Sequence, residues 1–265
     1  MVSKSNNWNR DQLLVAFNLY CQIPFGKMHS RNPEIIRLAT LIGRTPSALA
    51  MKLTNIASLD PAITSTGRRG LAGASAADKL MWNEMQHDWE GFALESQAVV
   101  DAIVTPNDIN QDALLPTAVL LEEEEFDYSA EDKTSMVKIR VGQHFFRRSV
   151  LSAYLGRCCI TGLAEPRLLV ASHIVPWHTD SNHRLNPRNG LCLSVLHDKA
   201  FDLGMFTLTP DFKIKTSRHM QSMSNNPFAT DWLVGLEGKC IELPEKFRPE
   251  LEFLHWHHQN IFMRE

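Results

Sequence analysis

Three shortages shape the reading of this 265-residue sequence. The first is of long apolar runs. None reaches the roughly 20 residues that a membrane-spanning helix requires, and Met1 to Asn9 is polar, with no secretion-signal core. A cytoplasmic location is therefore expected, with no membrane partner. The second is of organised cysteine. Cys21, Cys158, Cys159, Cys192 and Cys240 include no CxxC pair, which excludes a four-cysteine zinc knuckle. Scattered thiols in odd number read as reduced and mostly buried, and Cys158-Cys159 suits alternate faces of a strand. The third is of positive charge in one stretch. Residues 95–132 hold no Lys or Arg against 11 Asp and Glu.

The formal net charge of -3 conceals that asymmetry. Residues 1–94 carry +3, residues 95–132 carry -11, residues 133–218 carry +8 and residues 219–265 carry -3. A polyanion is a plausible partner for the basic block, although the whole-chain balance would not suggest one. Residues 95–132, with Pro106, Pro116 and Glu122 to Glu125, read as an acidic linker. It separates a helical segment (1–94) from a third segment (133–265).

The helical segment opens with an amphipathic stretch from Trp8 to Tyr20, in which Leu13, Leu14, Phe17 and Tyr20 recur at helical spacing. Asn32-Pro33-Glu34 and Thr45-Pro46 are both helix starts, each a capping side chain followed by Pro at the first helical position. Gly43 stops the first of these helices. The pair reads as a helix-turn-helix. On that reading Arg44, Ser47, Lys52 and Asn55 lie outside and face DNA; an ordinary helical hairpin gives the same pattern. Arg68-Arg69 reads as a phosphate-touching or solvated turn. A further helix spans Ser75 to Trp89, with Leu80, Met81, Met85 and Trp89 inward.

In the basic block, Arg140 to Tyr154 reads as an amphipathic helix and Cys159 to Gly162 as a strand ending in a turn. Leu168 to Ile174 is an apolar strand, Trp177 to Asn186 a polar loop, Gly190 to Leu193 a second strand, and Leu196 to Phe201 a helix ended by Gly204. The tail, with Trp232, Leu233, Ile241, Leu243, Phe247 and Leu251 to Trp256, has enough apolar residues to wrap the domain.

One constellation organises this block. Ser172-His173-Ile174-Val175-Pro176-Trp177 is answered by Asn189-Gly190-Leu191 and then His197-Asp198, with gaps of sixteen and eight residues. This order and spacing resembles the HNH nucleases. Residues 140–162 are similar to the lead-in of a bacterial subfamily described as restriction endonucleases. The resemblance implies an α+β protein: a helical, helix-turn-helix-like N-terminal domain followed by a ββα-metal HNH domain. It implies a divalent-metal-dependent DNA endonuclease in restriction or anti-phage defence, acting on modified or unmodified DNA. A homodimer is one route from single-strand to double-strand cutting. His173 is then the general base and Asn189 the brace of the hairpin loop. His197 is the ligand of one Mg2+, or Mn2+, Co2+ or Ni2+, per active site. Ser172 stands where many members have a second ligand, so Asp198 or Asp202 would assist the metal. Arg147, Arg148, Arg157, Arg188 and Lys199 are candidate phosphate contacts. The competing reading is a non-catalytic helix-turn-helix DNA-binding protein with a degraded HNH scaffold, supported by Ser172. RNA is a third candidate substrate.

Overall fold

A computed structural model describes residues 7–67, 73–104 and 130–263, with side chains from residue 138 onward in the last segment. Arg68-Arg69, Ala113 to Leu121 and Glu122 to Glu125 lie outside the described residues. The chain divides into two compact units, Met1–Ala153 and Tyr154–Glu265.

The first unit is helical. Helix α1 (Arg10–Gln22) is started by a capping box in which the Asn9 side chain accepts from Gln12 N and the Gln12 side chain accepts from Asn9 N. It is buried on all sides, not on one stripe, because α3 (Pro46–Ala57), α6 (Trp89–Ile103) and α7 (Ala130–Ala153) surround it. Phe17, Phe92 and Phe145, from α1, α6 and α7, meet edge to face at 6.4 and 6.3 Å. Helix α2 (Pro33–Leu41) packs on α3. The two have the expected Asn32 and Thr45 caps and Pro at the first position. The short α4 (Pro61–Thr64) is capped by Asp60, which also accepts from the buried Tyr20 hydroxyl at 2.9 Å.

Three features of this unit depart from the sequence reading. The helix expected to reach Trp89 ends at His87 (α5, Ala76–His87). Asp88 then caps a new helix, α6, by accepting from Gly91 N at 2.8 Å. Helix α6 runs to Ile103, so residues 95–103 are helical and not linker. Leu80, expected inward, is 70% exposed.

The second unit is mixed. An antiparallel hairpin pairs β1 (Leu169–His173) with β2 (Gly190–Ser194), in a register that sets Ser172 opposite Leu191 and His173 opposite Gly190. Helix α8 (Val195–Asp202) follows β2 without a loop and packs across both strands. A small hairpin of β3 (Phe206–Leu208) and β4 (Ile214–Thr216) comes next. Two short helices, α9 (Arg218–Gln221) and α10 (Pro227–Trp232), and a terminal helix α11 (Leu251–Asn260) complete the unit. Leu233, Ile241, Phe247, Phe253 and Leu254 bury the tail against this core, while Trp232, Leu243 and Leu251 stay exposed. Residues 159–162 form a turn, not a strand. Cys158 N bonds Leu163 O, Gly162 N bonds Cys158 O, and Gly162 takes φ +72°. Cys159 still donates to Cys192 O at 2.8 Å, tying the turn to β2.

Gly204 is where only glycine fits. Its φ is +67°, and a Cβ would lie 2.0 Å from Ile261 O. That close approach lets Met263 N donate to Gly204 O at 2.9 Å, fastening the chain end to the exit of α8. His257, fully inside α11, stacks on Phe201 at 3.8 Å and 3° and bonds Thr207 Oγ1 and Phe201 O.

Candidate active site

The loop between β1 and β2 is shaped by Asn189. Its side chain is wholly buried; Oδ1 accepts from Val175 N at 2.8 Å and Nδ2 donates to Val175 O at 3.0 Å and His183 O at 3.4 Å. Its own carbonyl accepts from Ile174 N at 2.9 Å. A carboxamide carries its acceptor and its two donors on separate atoms, so it can close a backbone loop from inside as a carboxylate, which only accepts, or an alcohol, with a single donor, could not.

His173 closes β1. Its Nε2 lies 2.9 Å from Arg184 O. A carbonyl only accepts, so Nε2 carries the proton and Nδ1 is the basic nitrogen of the neutral ring. Burial pushes the imidazole pKa down to about 4, against the opposing pull of that carbonyl. His173 is therefore neutral at pH 7. Trp177 meets it edge to face at 5.5 Å and 85°.

Ser172 is buried, and its hydroxyl makes no full hydrogen bond. It faces the Asp198 carboxylate of α8 closely enough to lower that group's pKa. Burial outweighs this and Lys199, and raises the Asp198 pKa overall. Asp202, one helical turn on, is also raised, first by burial and then by Asp198. Two carboxylates four residues apart share a helix face, and at each of them burial outweighs the nearby Lys199 cation and raises the pKa.

His197, expected to present a nitrogen to a metal, does not. It is 1% exposed; Nδ1 lies 2.7 Å from Ser194 Oγ, and Nε2 lies 2.9 Å from Trp232 O, to which it must donate. Both nitrogens are committed, and the ring is a strut between the start of α8 and the end of α10. It also helps bring the buried Cys158 thiol down to about 6. There burial pushes the pKa up, but His197, Thr161 and the turn amides together outweigh it. The residue that faces the site is its neighbour Asp198. The Asp198–Asp202 spacing carries that signal in the sequence.

Residues 158–209 match a family model described as HNH endonuclease. This segment belongs to the HNH endonuclease family. The match runs from the Cys158 turn through the hairpin and α8 to the end of β3, and contains Ser172, His173, Asn189, His197, Asp198 and Asp202. A comparison with curated proteins finds no match. Membership makes the HNH domain a nuclease domain in general terms.

The donor set of the HNH domain suits a hard divalent cation. Asp198 and Asp202 are a desolvated pair of like charge, and Ser172 Oγ is an orphaned buried oxygen beside them. Among the described residues no group of three or more His, Cys, Asp or Glu is placed to hold an ion. Water and substrate oxygens would have to complete the coordination.

The basic candidates are dispersed. Arg147 and Arg148 lie on α7 in the first unit, where burial lowers the Arg148 pKa while Glu34 opposes that and Arg37 adds to it. Arg157 is exposed, and Arg188 is half-buried and paired with Glu250 at 3.2 Å. Lys199 is exposed beside Asp198. On the helix pair of the first unit, only Ser47 is exposed among the four residues expected to face DNA. Arg44 is held by Gln12 Oε1 at 2.8 Å and lies 4.9 Å over the Trp8 ring. Lys52 is 7% exposed and forms a 2.7 Å ion pair with the fully buried Asp78. Asn55 is half-buried. These groups hold the helices together, and the outer face of α3 is left with Ser47 and Met51.

Proposed function

We propose that the chain is a divalent-metal-dependent DNA endonuclease. His173 is the general base, through Nδ1; a neutral imidazole fixed by a carbonyl on its far nitrogen is ready to take a proton from water. Asn189 holds the loop that holds His173. Asp198, with Asp202 beside it, is the metal-binding residue, and Ser172 borders the ion. A divalent cation bound there supplies charge neutralisation at the phosphoryl oxygens and lowers the pKa of water. Magnesium suits the carboxylates, and manganese serves equally well with an oxygen-rich shell.

The observation that carries this reading is the conjunction in one HNH domain of a neutral, oriented His173 with the Asp198 carboxylate beside the adjacent Ser172. The helical unit is then the part that positions DNA. The likeness of residues 140–162 to restriction-type proteins supports a role against foreign DNA. The test is nicking of supercoiled plasmid with magnesium or manganese. The native chain nicks, a chelator stops it, and Asp198→Asn loses metal-dependent cutting. Cutting that survives both the chelator and Asp198→Asn overturns the proposal.

A further inference from the structure

The helical unit needs a face for DNA, and α3 does not supply a cation for one. Arg44 and Lys52 are bonded within the unit, and Ser47 and Met51 remain outside. Another face of the unit carries charge in excess. From α7, Arg148 reaches Glu34 and Arg37 of α2 closely enough for both to act on its guanidinium. Glu34 is already taken: Arg37 Nη2 donates to its Oε1 at 3.0 Å. Two guanidinia therefore share one carboxylate, and one positive charge is left over. Arg148 is half-buried, and among the described residues no hydrogen bond or ion pair holds it. A partly desolvated cation in that state gains most from an anion that comes to it.

Helix α7 extends this charge into a row. Arg140, His144 and Arg148 follow at intervals of four residues and share a helix face. Arg140 and His144 are exposed. His144 has Arg148 and Arg147 of its own helix and Asp101 of α6 as neighbours, and Asp101 is engaged by Gln97 Nε2 at 2.8 Å. At about 1.5 Å per residue the row is about 12 Å long, a length over which one strand of a duplex presents about three phosphates. Such a row suits a polyanion better than a single small anion.

We propose that the helical unit holds the phosphate backbone of duplex DNA on this face, with Arg140, His144 and Arg148 as the contacts. Arg37 is a positioning residue: it occupies Glu34 and so keeps Arg148 available. This rests on the reading that the helical unit positions DNA. Contacts of this kind supply affinity and register and read no sequence.

The experiment uses the full chain. Binding to a duplex oligonucleotide is measured with chelator across a salt series, nicking is measured with manganese, and each variant is melted. Arg148→Gln and Arg140→Gln each flatten the slope of log affinity against log salt by about 0.9, one phosphate contact. Arg148→Lys keeps the native slope. Arg37→Gln flattens it too, by releasing Glu34 onto Arg148, and Arg37→Gln combined with Glu34→Gln restores it; a merely structural Arg37 would not give that rescue. Ser47→Glu, on the outer side of α3, binds as the native chain does. Native slopes in Arg148→Gln and Arg140→Gln overturn the proposal, as does a native chain that fails to bind duplex. Loss of binding in Ser47→Glu puts the DNA on α3 and overturns it too. If Arg148→Gln melts early, Arg140→Gln with native melting and a native slope overturns it alone. A native chain that binds but never nicks sinks the nuclease reading instead, and the slopes, read without metal, still uphold or overturn this one.

Discussion

Replacing Asn189 gives the most informative single perturbation, because its side chain closes the loop from both ends. Asn189→Ala removes one acceptor and one donor group. It orphans the buried Val175 N–H and leaves Val175 O and His183 O each short of a partner. An unsatisfied buried N–H costs about 1–3 kcal/mol, and under-satisfied carbonyls cost less. The sum is roughly 3 kcal/mol, a large share of the 5–15 kcal/mol typical of a domain. Urea unfolding measures it as a lower midpoint with unchanged slope. Asn189→Asp sharpens the test. A carboxylate keeps the bond from Val175 N–H but sets a negative oxygen against two carbonyls. At pH 7 it destabilises at least as much as Ala, and it recovers in part at acid pH, where a protonated Asp can donate. His183, one of the bonded residues, precedes Arg184, whose carbonyl holds His173. Both variants should therefore lose more nicking than their stability alone explains. A native-like Asn189→Asp at neutral pH, or an Asn189→Ala costing under about 0.5 kcal/mol, would refute the bracing argument.

Three further outcomes follow from the same geometry. Lys52→Met strands the buried Asp78 carboxylate and should cost about 3–5 kcal/mol in chemical denaturation; a well-folded Lys52→Met with weakened DNA binding would return Lys52 to the DNA surface. Gly204→Ala combines a left-handed φ with a 2.0 Å clash on Ile261 O and should destabilise by at least 2 kcal/mol or detach the chain end; native melting would contradict it. His257 is pushed by burial to about 4, below its unfolded value of about 6.5. Its contribution to stability is complete above pH 6.5 and is lost as pH falls towards 4, about 3 kcal/mol in all. His257→Gln should flatten the pH dependence of the urea midpoint over that window, and an unchanged profile would remove His257 as its source.

The hairpin and its crossing helix were legible in the sequence because period-2 and helical patterns there agree with turn residues. Strand β1 was expected at 168–174 and lies at 169–173; β2 and α8 are as close. What failed were inferences about which way a polar group points. Lys52 looks outward on any helical projection, and nothing local reveals a partner 26 residues away in Asp78. His197 fits the spacing of a ligand, yet Ser194 and the distant Trp232 carbonyl take both its nitrogens. The strand expected at 159–162 was apolar enough, but Gly162 and a hydrogen bond across the turn decided otherwise. Residues 95–103 looked like linker for lack of positive charge, although Ala98 to Ala102 continue a helix begun at Trp89. The Arg184 carbonyl that fixes the His173 tautomer has no sequence signal, because main-chain acceptors are set by the folded loop and not by residue type.

The account stands or falls on His173 as the base. Its measure is the single-turnover nicking rate of the native chain against His173→Ala, with saturating manganese and with DNA binding recorded on the same samples. The rate should fall by about 10²- to 10⁴-fold, with DNA affinity and melting temperature held. A His173→Ala chain that cuts at the native rate contradicts it.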